Sequence, residues 1–130
     1  MTKQEHIEYW VISAKRDWKA LQHLFKSKDY MHALFFAHLV LEKLFKANWV
    51  KDNKENYPPK IHNLLTLVNN SKLELTEEQQ TFVALMNDFQ LGGRYPDYKL
   101  KMYKRCNAVY TKKILKQAEE IYKCALKNLQ

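Results

Sequence analysis

The sequence is poor in the residues that interrupt helices. Its 130 residues include two glycines and three prolines, and both residue types disfavour the interior of a helix. Lysine, glutamate, leucine, alanine and glutamine are abundant instead, as in helix-rich chains. We therefore expect an all-α protein, and a chain of this length should fold as a single domain over residues 1–130.

Long apolar runs and closely spaced cysteines are also missing. No stretch approaches the roughly 20 apolar residues that cross a bilayer, and the N-terminal segment MTKQEHIEYW does not have the layout of a signal peptide. Cys106 and Cys124 stand alone, without the CxxC spacing of a metal site. These absences predict a cytoplasmic protein with no membrane attachment, reduced thiols, and no metal or other cofactor.

Common catalytic motifs are absent as well. The two glycines are adjacent, so neither GxxxxGK[ST] nor GxGxxG can occur, and the sequence contains no HExxH or GxSxG. This excludes a glycine-loop phosphate cradle, the common zinc hydrolase site and the usual nucleophile elbow. A site assembled from scattered side chains is not excluded.

Apolar residues recur at helical spacing in five segments. The predicted helices cover Lys3–Lys26, Tyr30–Lys51 after an Asp29 N-cap, Ile61–Asn70, the stretch from a Thr76–Gln79 capping box to Gly92-Gly93, and Arg105–Leu129. The middle of the second, ALFFAHLVLEKLFKA, is apolar on nearly every side and should form the centre of the core. The pattern predicts an up-and-down bundle of four longer helices with one short helix inserted.

The net charge of +8 indicates an anionic partner. Much of the excess lies in the last third of the chain, where few acidic residues oppose the basic ones. The basic residues there are Lys99, Lys101, Lys104, Arg105, Lys112, Lys113, Lys116, Lys123 and Lys127. The alternative is a lysine-coated face that only keeps the protein in solution.

The segment Gly92-Gly93-Arg94-Tyr95-Pro96-Asp97-Tyr98 is unusual for this chain. Two glycines free the backbone, and Pro96 then fixes its own φ and favours an extended Tyr95. Arg94 would stand on a short stiff segment, where its guanidinium suits bidentate contact with phosphate or carboxylate. In the alternative interpretation, Arg94 pairs with Asp97 or Asp88 and has a structural role alone.

His38 and Glu42 interrupt the apolar second helix, four residues apart on one face. As metal ligands they would make only two of the set a site needs. We expect a core histidine hydrogen-bonded within the bundle, and a Glu42 paired with Arg94 or Lys43. Among the other histidines, His62 should cap or anchor the short helix, and His6, His23 and His32 should lie at the surface.

Three motifs resemble those of the HEPN domain family. The central helix carries YxxAxFFA followed by LEKLFKA from residues 30 to 47, the short helix carries PxxHNLxxL from residues 59 to 67, and RYPD from residues 94 to 97 precedes the last helix. Their order and spacing are similar to those of the family across about residues 5 to 128.

The resemblance implies a helical bundle, commonly a homodimer, in a bacterial or archaeal cytoplasm. Many stand-alone members are encoded beside a minimal nucleotidyltransferase, as its partner or as one half of a toxin–antitoxin pair. Other members are metal-independent ribonucleases with an Arg-x4–6-His motif, in which the histidine assists attack by the 2′-hydroxyl and the arginine steadies the phosphate.

The chain departs from the nuclease motif at the histidine. Counting from Arg94, the three permitted positions hold Lys99, Leu100 and Lys101. Counting from Arg105 they hold Tyr110, Thr111 and Lys112. An ordinary lysine is protonated at neutral pH and cannot accept a proton as imidazole does. Tyr98 and Tyr103 are also out of register with the tyrosine that some partner enzymes adenylylate.

These observations favour a non-catalytic protein that binds a nucleotide, RNA or a nucleotidyltransferase partner. The predicted site consists of Arg94 as the phosphate grip, Tyr95 and Tyr98 as stacking faces, and Asp97, Lys99, Lys101 and Arg105 around them, with His38 and Glu42 as further polar residues of the cleft. One alternative is a ribonuclease whose acid–base group is His38 or His62. Another is a dimeric interaction module that associates through its first or last helix.

Overall fold

The structure is a computed structural model that describes residues 1–92, 101 and 103–130. Its main helices are α1 (Lys3–Lys26), α2 (Tyr30–Asp52), α3 (Leu64–Asn69), α4 (Glu77–Gly92) and α5 (Ala108–Asn128). They form the all-α, up-and-down bundle with a short inserted helix that the sequence predicts.

A three-residue turn joins α1 to α2. Thr2 and Glu5 form a reciprocal capping box at the start of α1, which satisfies amide groups that the first turn leaves unpaired. In the turn, Lys28 has a φ of 66°, a left-handed conformation that is costly for a residue with a Cβ. Asp29 precedes α2 as predicted but makes no side-chain capping bond, because its carboxylate accepts from the Ser27 hydroxyl at 2.9 Å instead.

Helix α2 forms the centre of the core. Leu34, Leu41, Leu44 and Phe45 are fully buried, and α1, α3, α4 and α5 all pack against α2. A helix surrounded by others must be apolar on every side, which is the pattern that its sequence shows.

The short helix is shorter than the sequence predicts. It spans Leu64–Asn69 rather than Ile61–Asn70, since the Asn63 side chain accepts from the Thr66 amide and defines the first turn. Helix α4 begins as predicted, because the Thr76 amide donates to Gln79 Oε1 at 2.9 Å and the Gln79 amide donates to Thr76 Oγ1 at 3.1 Å.

The last helix begins three residues later than predicted. Residues 103–105 are helical, but Cys106 and Asn107 are not. The Asn107 side chain accepts from the Tyr110 amide at 2.8 Å and starts a new helix at Ala108. A capping residue inside an apparently continuous helical stretch therefore divides it in two.

Buried amide groups connect α2 to the end of α5. Asn48 is fully buried; its Nδ2 donates to the carbonyls of Leu44 at 2.9 Å and Ala125 at 3.3 Å. The Asn128 Nδ2 donates to Asn48 Oδ1 at 2.6 Å. The Asn48 side chain thus links α2 to α5 through a hydrogen bond between residues 77 positions apart in the sequence.

Both cysteines are free thiols, as predicted. Burial raises the pKa of the Cys106 thiol, which favours its unreactive, protonated form. Within the part of the chain that the structure describes, no helix combines the length and the apolar character needed to cross a membrane.

Candidate functional site

The predicted phosphate site lies mostly outside the described residues. This applies to Arg94, Tyr95, Asp97, Tyr98 and Lys99. The remaining two members, Lys101 and Arg105, are both exposed, and neither forms an ion pair with a described residue.

The other two predicted residues belong to a polar cluster centred on the Glu42 carboxylate. Glu42 is 5% exposed and receives two close contacts, from Lys46 Nζ to Oε2 at 3.1 Å and from His62 Nδ1 to Oε1 at 3.0 Å. His38, one turn before Glu42, has its Nδ1 3.8 Å from Oε1. The cluster therefore joins α2 to the segment that leads into α3.

Lys46 is a buried cation held from two sides. It is 7% exposed, and its ammonium lies over the Trp10 ring of α1, 5.4 Å from the ring centroid. Carboxylate and aromatic face both stabilise a cation that has lost most of its water. Lys46 was not identified from the sequence, although a lysine four residues after a glutamate on a helix commonly pairs with it. The contact with Trp10 could not be predicted, because Trp10 lies on a different helix.

His38 is buried in its neutral form. Burial lowers the pKa of His38 to about 4, although the nearby Glu42 carboxylate favours the protonated ring. Its contact with Glu42 is consequently not an ion pair at neutral pH. The expected hydrogen bond is also missing, since neither ring nitrogen has a partner among the described residues.

The structure also changes three other predictions, for the partner of Glu42, the role of His62 and the exposure of His6. Glu42 does not pair with Lys43, because that lysine turns to Asp17 on α1 at 2.5 Å; the alternative partner, Arg94, is outside the described residues. His62 does not cap α3, a role that Asn63 takes, but its contact with Glu42 anchors the segment before α3, which is the other predicted role. His6 is not a surface residue but is 8% exposed and packs edge-on against Tyr57, with ring centroids 4.9 Å apart.

The two histidines near Glu42 differ in their access to solvent, and therefore in the chemistry that they could perform. The side chain of His62 is 47% exposed while its Nδ1 contacts the buried Glu42 carboxylate. In many enzymes a carboxylate orients the imidazole that acts as general base, while the other edge of the ring faces the substrate or solvent. Glu42 and His62 have this arrangement. His38 has no such access, since its side chain is 0% exposed.

The cluster does not have the composition of a metal site. Lys46 occupies one carboxylate oxygen of Glu42, and His62 contacts the other. Among the residues that the structure describes, no group of three or more histidine, cysteine, aspartate or glutamate side chains could hold a metal ion.

Comparisons with known proteins agree with this architecture. The chain resembles a crystal structure of TT1696 from Thermus thermophilus, with a TM-score of 0.80 over 95% of this chain and 98% of that one. The two are 17% identical in sequence, so the likeness establishes a common fold. No curated protein matches the sequence.

The family comparison covers nearly the whole chain. The model of the HEPN domain matches residues 7–129, which include most of α1, all of α2 to α5 and the polar cluster. By this match, the chain belongs to the HEPN domain family.

Proposed function

We propose that this HEPN protein is a non-catalytic binding protein whose ligand is a nucleotide, an RNA or a nucleotide-bearing partner such as a nucleotidyltransferase. The ligand's phosphates would contact Arg94 and the basic strip, which we define as Lys101, Lys104 and Arg105. All three strip residues are exposed, and no acidic residue occurs between Asp97 and Glu119. This uncompensated positive segment is the observation that supports the proposal.

The strip lacks a group suited to proton transfer. The last histidine of the chain is His62, so no imidazole follows Arg94 in the sequence. Cleavage of RNA by the Arg-x4–6-His mechanism requires one there. We expect binding without cleavage, and a role beside a nucleotidyltransferase, in a toxin–antitoxin pair or otherwise, belongs to the same proposal.

Salt-dependent RNA binding is the first prediction. Replacing Lys101, Lys104 and Arg105 together by alanine should weaken binding of a labelled single-stranded RNA by about tenfold or more at low salt. Because each lost phosphate contact removes about 0.7 from the slope of log affinity against log salt, the slope should fall by about 2. Fluorescence anisotropy at several salt concentrations measures both quantities.

A matched control separates a site from overall charge. Alanine at Lys54, Lys60 and Lys72, which are exposed and lie elsewhere, removes the same three charges. If this variant loses as much affinity as the strip variant, the protein has no phosphate site at the strip. The Arg94→Ala variant should lose affinity while its helical circular dichroism remains unchanged.

The pairing of His62 with Glu42 supports one alternative, a ribonuclease with His62 as the general base. Incubation of purified protein with labelled RNA distinguishes it from the binding protein, for which we expect no cleavage above background. Cleavage that disappears in both His62→Asn and Arg94→Ala, and that falls in Glu42→Gln, would establish the nuclease and contradict our proposal. The exposed His32 provides a control through His32→Asn.

A further inference from the structure

Helices α1 and α5 leave an open seam between them. Each packs on α2, but the surface between the two contains two hollows, of about 590 Å³ and 290 Å³. The larger lies between the C-terminal half of α1 and the N-terminal half of α5. The smaller lies between the opposite ends of the same two helices, so the helices run antiparallel and both hollows belong to one seam.

The residues along this seam form one stripe on each helix. On α1 the stripe includes Gln4, Val11, Lys15, Trp18, Gln22 and Phe25. On α5 and its C-cap residue it includes Lys112, Leu115, Glu119, Tyr122, Leu126 and Leu129. Spacings of three, four and seven residues keep a stripe on one helical face. Two parallel stripes with a furrow between them form a surface on which another helix can lie.

A stacked aromatic pair divides the furrow at its middle. The rings of Trp18 and Tyr122 lie 4.7 Å apart at an interplanar angle of 12°. On either side the furrow contains apolar groups that the bundle does not cover fully, with Phe25 and Leu115 half-buried in the larger hollow. Ile12 in the smaller hollow is 54% exposed. The furrow thus offers two places for apolar side chains, with the stacked rings between them.

The furrow is rimmed by positive charge. Five lysines line the two hollows, Lys15, Lys19, Lys26, Lys112 and Lys116, against two glutamates, Glu8 and Glu119. Both glutamates already have neighbours on their own helices, since Glu119 pairs with Lys123 at 3.4 Å and Glu8 accepts from Gln4 at 3.5 Å. No carboxylate among the described residues pairs with any of the five lysines.

This charge argues against a second copy of the chain as the occupant. Seam-to-seam association would bring together two surfaces that each carry three more lysines than glutamates. Like charges at an interface oppose association. An acidic occupant with apolar anchors complements both the rim and the furrow.

We propose that the seam is the docking site for an acidic amphipathic helix of a partner protein. The stripe on α1 runs from Gln4 to Phe25, which corresponds to roughly 32 Å of helix, so a partner helix of about 20 residues spans it. Its apolar residues enter the two hollows, as in other helix-in-groove complexes, and its carboxylates face the lysine rim. The site is separate from the basic strip and does not depend on phosphate binding there.

A designed peptide tests this docking site. The probe is a labelled 20-residue helix with leucine at heptad spacing on one face and glutamate on the other, titrated into the full chain and followed by amide chemical shifts. We expect shifts along α1 and α5, and weaker or absent shifts for a peptide of the same composition in scrambled order. Equal binding of both peptides, shifts confined to other helices, or no binding overturns the proposal.

Charge-reversal variants give the matched comparison. Lys19→Glu with Lys116→Glu should weaken binding of the peptide about tenfold, whereas Lys54→Glu with Lys60→Glu, an equal change of charge outside the seam, should change it less than about twofold. Ile12→Asp should also weaken it, because it replaces an apolar side chain of the smaller hollow by a negative charge that repels the acidic peptide. Equal losses in the two charge variants overturn the proposal.

Two further titrations distinguish other occupants. A single-stranded oligonucleotide that displaces the peptide from the seam would identify a nucleic-acid surface. Chemical shifts along the seam that change with protein concentration alone would identify a second copy. Either result overturns the acidic helix. The strip variant should bind the peptide as tightly as the parent protein does, whether or not RNA binds at the strip. Either proposal can therefore fail while the other stands.

Discussion

At the scale of single residues, His38 makes the stability of the protein dependent on pH. The folded-state pKa is about 4, below the ordinary value near 6.5, so between these pH values the unfolded chain binds more protons. Stability should therefore fall as the pH drops from about 6.5 to 4, by roughly 3 kcal/mol. Urea unfolding at a series of pH values should show this loss in the parent protein and a smaller one in His38→Leu.

The substitution by leucine suits this test because the imidazole nitrogens have no hydrogen-bond partner among the described residues. An apolar group of similar size then leaves no new unsatisfied atom. The exposed His32 serves as the comparison, and His32→Leu should retain the pH dependence of the parent. Identical pH profiles for the His38 variant and the parent would contradict the prediction.

At the scale of helices, Asn48 fixes the docking of α5 on α2. Its amide donates to Ala125 and accepts from Asn128 while fully buried. Replacing Asn48 by alanine should lower the free energy of unfolding by about 2–3 kcal/mol, because the buried partner groups lose their hydrogen bonds. Urea denaturation measures the change, and Asn69→Ala at an exposed position should stay within about 0.5 kcal/mol of the parent. Equal effects at both positions would refute this role.

The helices also show which features could be predicted from the sequence. The bounds of α1 and the capping box of α4 follow from local patterns, and both are confirmed. The sequence predicts that α5 starts at Arg105, because helical periodicity continues across Asn107. In the structure, the Asn107 side chain accepts from the Tyr110 amide and starts the helix at Ala108 instead.

Contacts between distant residues were not predictable in the same way. His62 meets Glu42 across 20 residues and His6 meets Tyr57 across a greater separation. Sequence spacing contains no information on such pairs, so the burial of His6 and the partner of His62 were not predicted, whereas the core position of His38 and the exposure of His23 and His32 were. The motif around Arg94 was found, but the arrangement of its side chains lies outside the described residues.

At the scale of the whole molecule, we expect a homodimer. Large apolar or aromatic side chains remain exposed, including Tyr57 at 76%, Tyr103 at 72% and Val109 at 81%. Their burial against a second copy would remove apolar surface from water. Because the positive charge on the seam opposes association through that face, we expect the dimer contact elsewhere on the surface. Light scattering at micromolar concentration should give about twice the monomer mass of 15.6 kDa. A mass equal to that of the monomer would contradict the expectation.

The short turn between α1 and α2 has a consequence for the order of folding. Three residues separate two long helices that pack against each other, so this pair can form with a small loss of loop entropy. Helix α5 must close a much longer loop before it reaches α2. Contacts of low sequence separation form fastest, and the α1–α2 hairpin should therefore be the folding nucleus, with Lys28 at its tip adopting a conformation that glycine would reach at lower cost.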